Sequence, residues 1–172
     1  GVTQVIADKQ TLESIEGLCD RLSIPISTVS DTLTDSVSPL PELSATRRAM
    51  IVFTSGTTSK PMGAVTTHGN IDAQIETLIT AWEWHAADVI PLFLPLHHVH
   101  GIINVLSCAL WAGATVYAMP KLDLTALCAQ VAADTFSVFM AVPTIYVKLI
   151  DHLETLEDEE VEGICEGFAN MR

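Results

Sequence analysis

The chain has 172 residues, a hydrophobic content of 49% and a formal net charge of −13. That is enough apolar sequence for an ordinary domain with its own core, and the charge argues against nucleic acid, whose phosphates demand a basic footprint. The four cysteines, Cys19, Cys108, Cys128 and Cys165, form no Cys-x-x-Cys pair. Cys108 and Cys128 lie among apolar residues and read as buried thiols of a reducing compartment.

Short apolar runs alternate with helical stripes along the chain. Val2 to Ala7 reads as a strand, and Leu12, Ile15, Leu18, Cys19 and Leu22 fall on one helical face. Ile24 to Val29 reads as a second strand, and the Ser-, Thr-, Pro- and Asp-rich stretch Ser30 to Thr46 as a surface connection. Met50 to Thr54 is a strand that delivers a polar loop. Asn70 is the expected N-cap of a helix whose apolar face is Ile71, Ile75, Leu78, Ile79 and Trp82. Val89 to Leu94 is an expected buried strand in which Pro91 signals an edge or a distortion. His98 to Ala112 reads as a mostly apolar helix and Thr115 to Ala118 as a strand. Asp123 caps the helix bearing Leu124, Leu127, Cys128 and Val131. Phe136 to Val142 reads as a strand, and Pro143 opens the helix with Ile145, Leu149 and Ile150 on its buried side. The alternation predicts an α/β fold with a largely parallel sheet. Gly101 to Met119 is nearly uncharged and imitates a membrane span, but Asn104, Ser107 and Gly113 divide it into a buried helix and a strand, so no membrane span is expected. The acidic run Glu154, Glu157, Asp158, Glu159, Glu160, Glu162 and Glu166 reads as a solvated loop or helix end, since it lacks the spaced ligands and the glycine of a calcium loop.

The chemistry concentrates in Phe53-Thr54-Ser55-Gly56-Thr57-Thr58-Ser59-Lys60-Pro61-Met62-Gly63. Hydroxyls, backbone N–H groups around one glycine and a lysine offer a donor-rich concavity of the kind that takes a phosphate chain. A plain Ser/Thr-rich surface turn is the blander alternative. Gly56 and Gly63 are seven apart with Lys60 between them, which is not the spacing of a Walker loop. The second run is Leu94-Pro95-Leu96-His97-His98-Val99-His100-Gly101. Its histidines permit a zinc reading, but neighbours on a short loop rarely converge on one metal and no carboxylate or cysteine ligand is near; no metal site on protein side chains is expected.

Together the two runs closely resemble the phosphate-binding loop and the next core motif of the adenylate-forming (AMP-dependent synthetase/ligase) superfamily, which includes acyl-CoA synthetases, luciferase and peptide-synthetase adenylation domains. The chain departs at Ser59 and at Met62, where that family carries lysine or arginine. The wording around the motifs is most similar to the malonyl-CoA synthetase branch. The resemblance implies that residues 1–172 are a fragment of the large N-terminal AMP-binding domain, with the phosphate loop at 53–63, the second motif at 94–101 and the C-terminal domain absent. It implies ATP, Mg²⁺ and CoA as co-substrates of the parent enzyme, a small carboxylic acid, most consistent with malonate, as the activated substrate, and a mitochondrial location. It assigns Thr54, Ser55, Gly56, Thr57, Thr58, Ser59 and Lys60 to the ATP phosphates, and His97, His98, His100 and Gly101 to the acyl and CoA pocket, with His98 at the family's histidine position, His97 in the place of an aromatic and His100 extra, a structural hydrogen-bonded histidine being the alternative for His100. His68, Trp82, Trp84 and Trp111 are expected to be structural. The later motifs of the family, including its catalytic lysine and the arginine for malonate's free carboxylate, are not among these residues. The parent is thus expected to be an acid–thiol ligase and the chain alone to be inactive. The alternative is a non-catalytic relative that keeps a nucleotide- or partner-binding core, a reading motivated by Met62.

Overall fold

The structure is a computed structural model that describes residues 2–32, 39, 41–54 and 62–172. These fall into two units, residues 1–42 and 43–172.

In the first unit, β1 (Val5–Ala7) and β2 (Ile26–Thr28) pair in parallel with Val5 opposite Ile26, and α1 (Lys9–Leu22) connects them. The Asp8 carboxylate caps α1 by accepting from the Thr11 amide at 2.8 Å. Ser23 ends the helix in the left-handed region, φ 54°. The expected surface connection opens with a short helix, α2 (Val29–Thr32).

The second unit starts with an antiparallel pair, β3 (Arg48–Thr54) and β4 (Met62–Thr67), with Thr54 opposite Met62. Then come α3 (His68–Ala81), β5 (Val89–Leu92), a π-helix (His100–Ser107), α4 (Cys108–Ala112), β6 (Thr115–Ala118), α5 (Leu124–Ala132), α6 (Pro143–Leu153) and α7 (Asp158–Ala169). β5 and β6 are parallel, with Val89 opposite Thr115. This is the expected α/β alternation, with two of the three strand pairs parallel among the described residues. One core gathers Ile75, Trp84, Ile90, Leu94, Ile103, Val105 and Cys108. A second, formed by Leu127, Cys128, Val131, Phe136, Leu149 and Ile164, holds α5, α6 and α7 together. The acidic run opens α7, where Asp158, Glu159 and Glu160 occupy the first turn and face the positive end of the helix dipole.

Three local expectations change. The N-cap of α3 is Thr67, not Asn70. Thr67 keeps extended backbone (φ −93°, ψ 166°) because it ends β4, and its hydroxyl accepts from the Asn70 amide at 3.1 Å. The Asn70 side chain in turn accepts from the Thr67 amide at 3.0 Å, closing a capping box from the third helical position. The helix at 98–112 begins two residues later and runs as a π-helix before tightening into α4.

Phe136–Val142 is not a regular strand, and Pro91 supplies the reason. Along β5 the carbonyls of Asp88 and Leu92 accept from Thr115 and Met119, so these residues face β6. Val89 faces the other way, where its carbonyl accepts from Ser137 and Val138 at 3.0 and 3.3 Å. Successive residues alternate sides, so residue 91 faces the 136–142 segment too, and proline has no N–H to donate. The segment is held at its start and then released. The distortion signalled by Pro91 thus falls on its neighbour, while Pro91 itself is fully buried within β5.

Candidate functional site

The 94–101 motif follows β5 and forms the turn that enters the π-helix. The His98 amide donates to the Pro95 carbonyl at 3.2 Å, and the His98 carbonyl accepts from Ile102 at 3.1 Å. Gly101 is pressed on this turn: a Cβ there would collide with the Pro95 carbonyl and lie 3.1 Å from the Leu94 oxygen. The motif needs glycine because backbone meets backbone at that point. Gly63, the last residue of the phosphate-loop motif, is likewise overlaid by a cross-strand neighbour. A Cβ there would come to 2.8 Å from Ile51 Cγ2 and 3.4 Å from the Phe53 ring.

A cleft of about 430 Å³ opens beside the motif. Trp82 and Glu83, at the end of α3, form one wall; residues 138–141 and Tyr146 form another; His100 and Arg172 also border it. Phe139 anchors the aromatic side, with Tyr146 and Phe168 edge-on to it at 5.9 and 5.1 Å between ring centroids. Glu83 takes a left-handed conformation, φ 51°, that turns the chain from α3 toward β5.

Behind the cleft lies Asp88, the one buried charged residue among the described residues. Its carboxylate accepts from the His85 amide at 2.7 Å, the Ser137 hydroxyl at 2.8 Å and the Arg172 guanidinium. Ser137 Oγ also accepts from the Val89 amide at 3.0 Å. Arg172 bonds the same segment through its backbone, donating to the Ser137 carbonyl at 2.9 Å and accepting from Phe139 at 3.0 Å. Burial pushes the Asp88 carboxyl up, but the hydrogen bonds from His85, Ser137 and Arg172, with the charge of Arg172, outweigh it and hold the group below its ordinary value. One carboxylate thus ties the start of β5 to the 136–142 segment and Arg172, and the last two border the cleft.

The expected site residues distribute unevenly. Thr54 ends β3, while Ser55, Gly56, Thr57, Thr58, Ser59 and Lys60 lie outside the described residues. Of the histidines, His100 borders the cleft; His97 and His98 are exposed on the preceding turn, ring against ring at 4.2 Å. His68 is the first residue of α3. The tryptophans divide: Trp84 is buried in the core, Trp82 borders the cleft, and Trp111 is exposed rather than packed. Among the described residues no group of three or more His, Cys, Asp or Glu side chains is arranged to hold a metal, and no helix is long and apolar enough to cross a membrane. Sequence reading missed Asp88, Arg172, Glu83, Phe139 and Tyr146. The one signal available was an aspartate directly before a buried strand.

Residues 2–164 match the family described as AMP-binding enzyme. The chain belongs to that family. Mitochondrial malonate–CoA ligase ACSF3 of Homo sapiens is 39% identical over 160 residues, covering 87% of this chain and 28% of the human protein. The Bos taurus protein is 38% identical over 160 residues, covering 87% of this chain and 27% of its own length. A malonate–CoA ligase of Arabidopsis thaliana is 40% identical over 134 residues, 72% of this chain and 22% of the plant protein. The chain therefore spans about a quarter of the length of these relatives, which are acid–thiol ligases by name. Among solved structures, a malonyl-CoA ligase ternary product complex with methylmalonyl-CoA and AMP superimposes with a TM-score of 0.79 at 24% identity, over 98% of this chain and 34% of that one. ATP-bound MatB from Rhodopseudomonas palustris gives 0.76 at 24% identity, over 94% and 33%. These likenesses establish the fold. The family expected from the two motifs is the one found.

Proposed function

We propose that this chain supplies the phosphate loop and part of the acid-side wall of an ATP-dependent acyl-CoA ligase, and that the acid is malonate. In this reading the acid's carboxylate attacks the α-phosphate of ATP, expelling pyrophosphate and forming an acyl-adenylate. The thiol of CoA then attacks the acyl carbon, forming the thioester and releasing AMP. Such chemistry asks the protein to hold the triphosphate, offset developing charge and keep the acid in line. Thr54, Ser55, Gly56, Thr57, Thr58, Ser59 and Lys60 are assigned to the phosphates, and Mg²⁺ would enter with the nucleotide.

The observation that carries the reading is the cleft. A histidine of the 94–101 run, His100, and a guanidinium, Arg172, border a cavity of about 430 Å³ whose other lining is apolar and aromatic except for the carboxylate Glu83. A small dicarboxylate suits such donors better than a fatty tail does, and the malonate–CoA ligases among the relatives support the same choice. The vertebrate relatives named mitochondrial support a mitochondrial location. His97 and His98, exposed beside the cleft, are proposed to meet the acyl–CoA end of the ligand, with Gly101 setting the turn that carries them.

The test is malonate-dependent ATP–pyrophosphate exchange, run on the 172-residue chain and on the native protein purified from its source, with the native mass read by immunoblot and intact mass spectrometry. Exchange by a native species of the relatives' length, and none by the chain alone, is the expected result. Met62 favours a second reading. The first residue of β4 supplies no cation where the resembling family has one. A native species of 18.5 kDa without exchange would select the non-catalytic binding module instead.

A further inference from the structure

The π-helix contains an amide that its own packing does not explain. Asn104 Nδ2 lies 3.0 Å from His100 Nδ1, one wide turn away. Asn104 Oδ1 is buried with no hydrogen-bond partner. A buried oxygen left unpaired is a cost that leucine in the same place would not incur. The neighbours of Asn104 in this helix, Ile103 and Val105, are indeed buried apolar side chains. What the amide gains for that cost is the bond to His100, and His100 is the one histidine of the motif on the cleft.

In this structure the amide is oriented with its NH₂ toward the ring. An amide NH₂ only donates, so the ring nitrogen facing it must accept. Nδ1 then carries no proton, and in the neutral ring the proton sits on Nε2, the remaining polar atom. The backbone that carries the ring is fixed too. Gly101 is wedged on the Pro95 carbonyl, and the Ser107 hydroxyl donates to the Ile102 carbonyl at 2.7 Å, bracing the wide turn between them. π-helical turns are rare and frequently sit at functional sites.

We propose that Asn104 is a positioning residue that holds His100 as the Nε2–H tautomer, so that the imidazole presents a hydrogen-bond donor to an acceptor oxygen of the acid or its thioester. The donor role rests on the reading of the cleft as the acid site; the tautomer does not. Asn104 acts only through the ring and need not touch the ligand. Asn104→Asp separates this role from mere space filling. It keeps the shape but removes the donor, and a carboxylate facing Nδ1 draws the proton to that nitrogen.

The test is ¹⁵N NMR of the histidine rings in the 172-residue chain, with His100 assigned by the signals lost in His100→Gln. The expected result is an unprotonated Nδ1 and a protonated Nε2 on His100 in the unmodified chain, reversed or doubly protonated in Asn104→Asp. A protonated Nδ1 in the unmodified chain overturns the proposal, and that measurement needs no change at Asn104. So does a tautomer that Asn104→Asp leaves unmoved. In the full-length ligase, Asn104→Ala is expected to raise KM for the acid about tenfold while KM for ATP stays unchanged, with Asn104→Gln restoring part of the loss. An equal rise in both constants overturns the positioning role. The expected tautomer in a protein that shows no acid-dependent exchange supports the Asn104–His100 device and counts against the ligase reading alone.

Discussion

Gly101 and Asp88 show how single residues fix the cleft. The Gly101 backbone lies against the Pro95 carbonyl, so any side chain forces the motif turn off the π-helix. Gly101→Ala is expected to lose about 1–3 kcal/mol of stability, as overpacking against rigid backbone does, read as a lower urea midpoint with an unchanged slope. Asp88 works by charge and hydrogen bonds. Its folded value lies below the ordinary carboxyl value of 3.8, so its contribution is fully present above that pH and is lost as pH falls through the lower folded value. The unmodified chain should therefore lose stability steadily on acidification below 3.8. Asp88→Asn should be weaker at neutral pH by about 2 kcal/mol, discounted because Arg172 is partly exposed, and should show a flatter acid limb. Urea melts from pH 7 to pH 3 check both; parallel acid limbs would sink the assignment.

At the scale of elements, the chain uses side chains to stop and start backbone ladders. Thr67 ends β4 and opens α3 in one residue, and the reciprocal bonds with Asn70 satisfy two donors that the helix leaves open. Thr67→Ala is expected to cost about 1 kcal/mol and to speed amide exchange in the first turn of α3 more than in its last, which hydrogen-exchange mass spectrometry resolves. The sequence suggested a cap at Asn70 because asparagine precedes the apolar stripe. It hid the fact that a strand already held Thr67 in the extended geometry a cap requires. Pro91 was legible as a disturbance, but which neighbour it would disturb depended on the side of β5 it faced. That side is set by the register with β6. The π-helix was not legible either. Its apolar residues satisfy an ordinary helical stripe, and the wider turn arises where Gly101 meets the Pro95 turn.

For the whole molecule, burial sorts the thiols. Cys19, Cys108 and Cys128 are buried and Cys165 is exposed. Burial pushes the Cys108 thiol up to about 11, and that of Cys128 upward as well. A thiol reagent at pH 8 is expected to modify Cys165 at once and the other three only as the chain opens, with peptide mapping identifying the first site. Rapid labelling of Cys108 would mean that the core around Trp84 and Ile90 is not formed. The second unit also leaves apolar side chains in the open: Ile51 and Phe53 share one face of β3, and on α6 Val147 is exposed together with Ile150, which the sequence placed on the buried side; the helix turns Leu149 inward, and its neighbour Ile150 falls on the outer face.

The sequence by itself determined the family, the alternation of strands and helices and most helix limits. All of these are written in residues close together along the chain, where periodicity, caps and motif spacing act. His100 and Gly101 were found the same way. Only the tertiary structure decided that His100, and not His97 or His98, borders the cleft, and that Glu83, Phe139, Tyr146 and Arg172 join it there. Asp88 reaches Arg172 across 84 positions and Ser137 across 49. No local rule encodes such a pairing, because it exists only once β5, the 136–142 segment and Arg172 have been brought side by side.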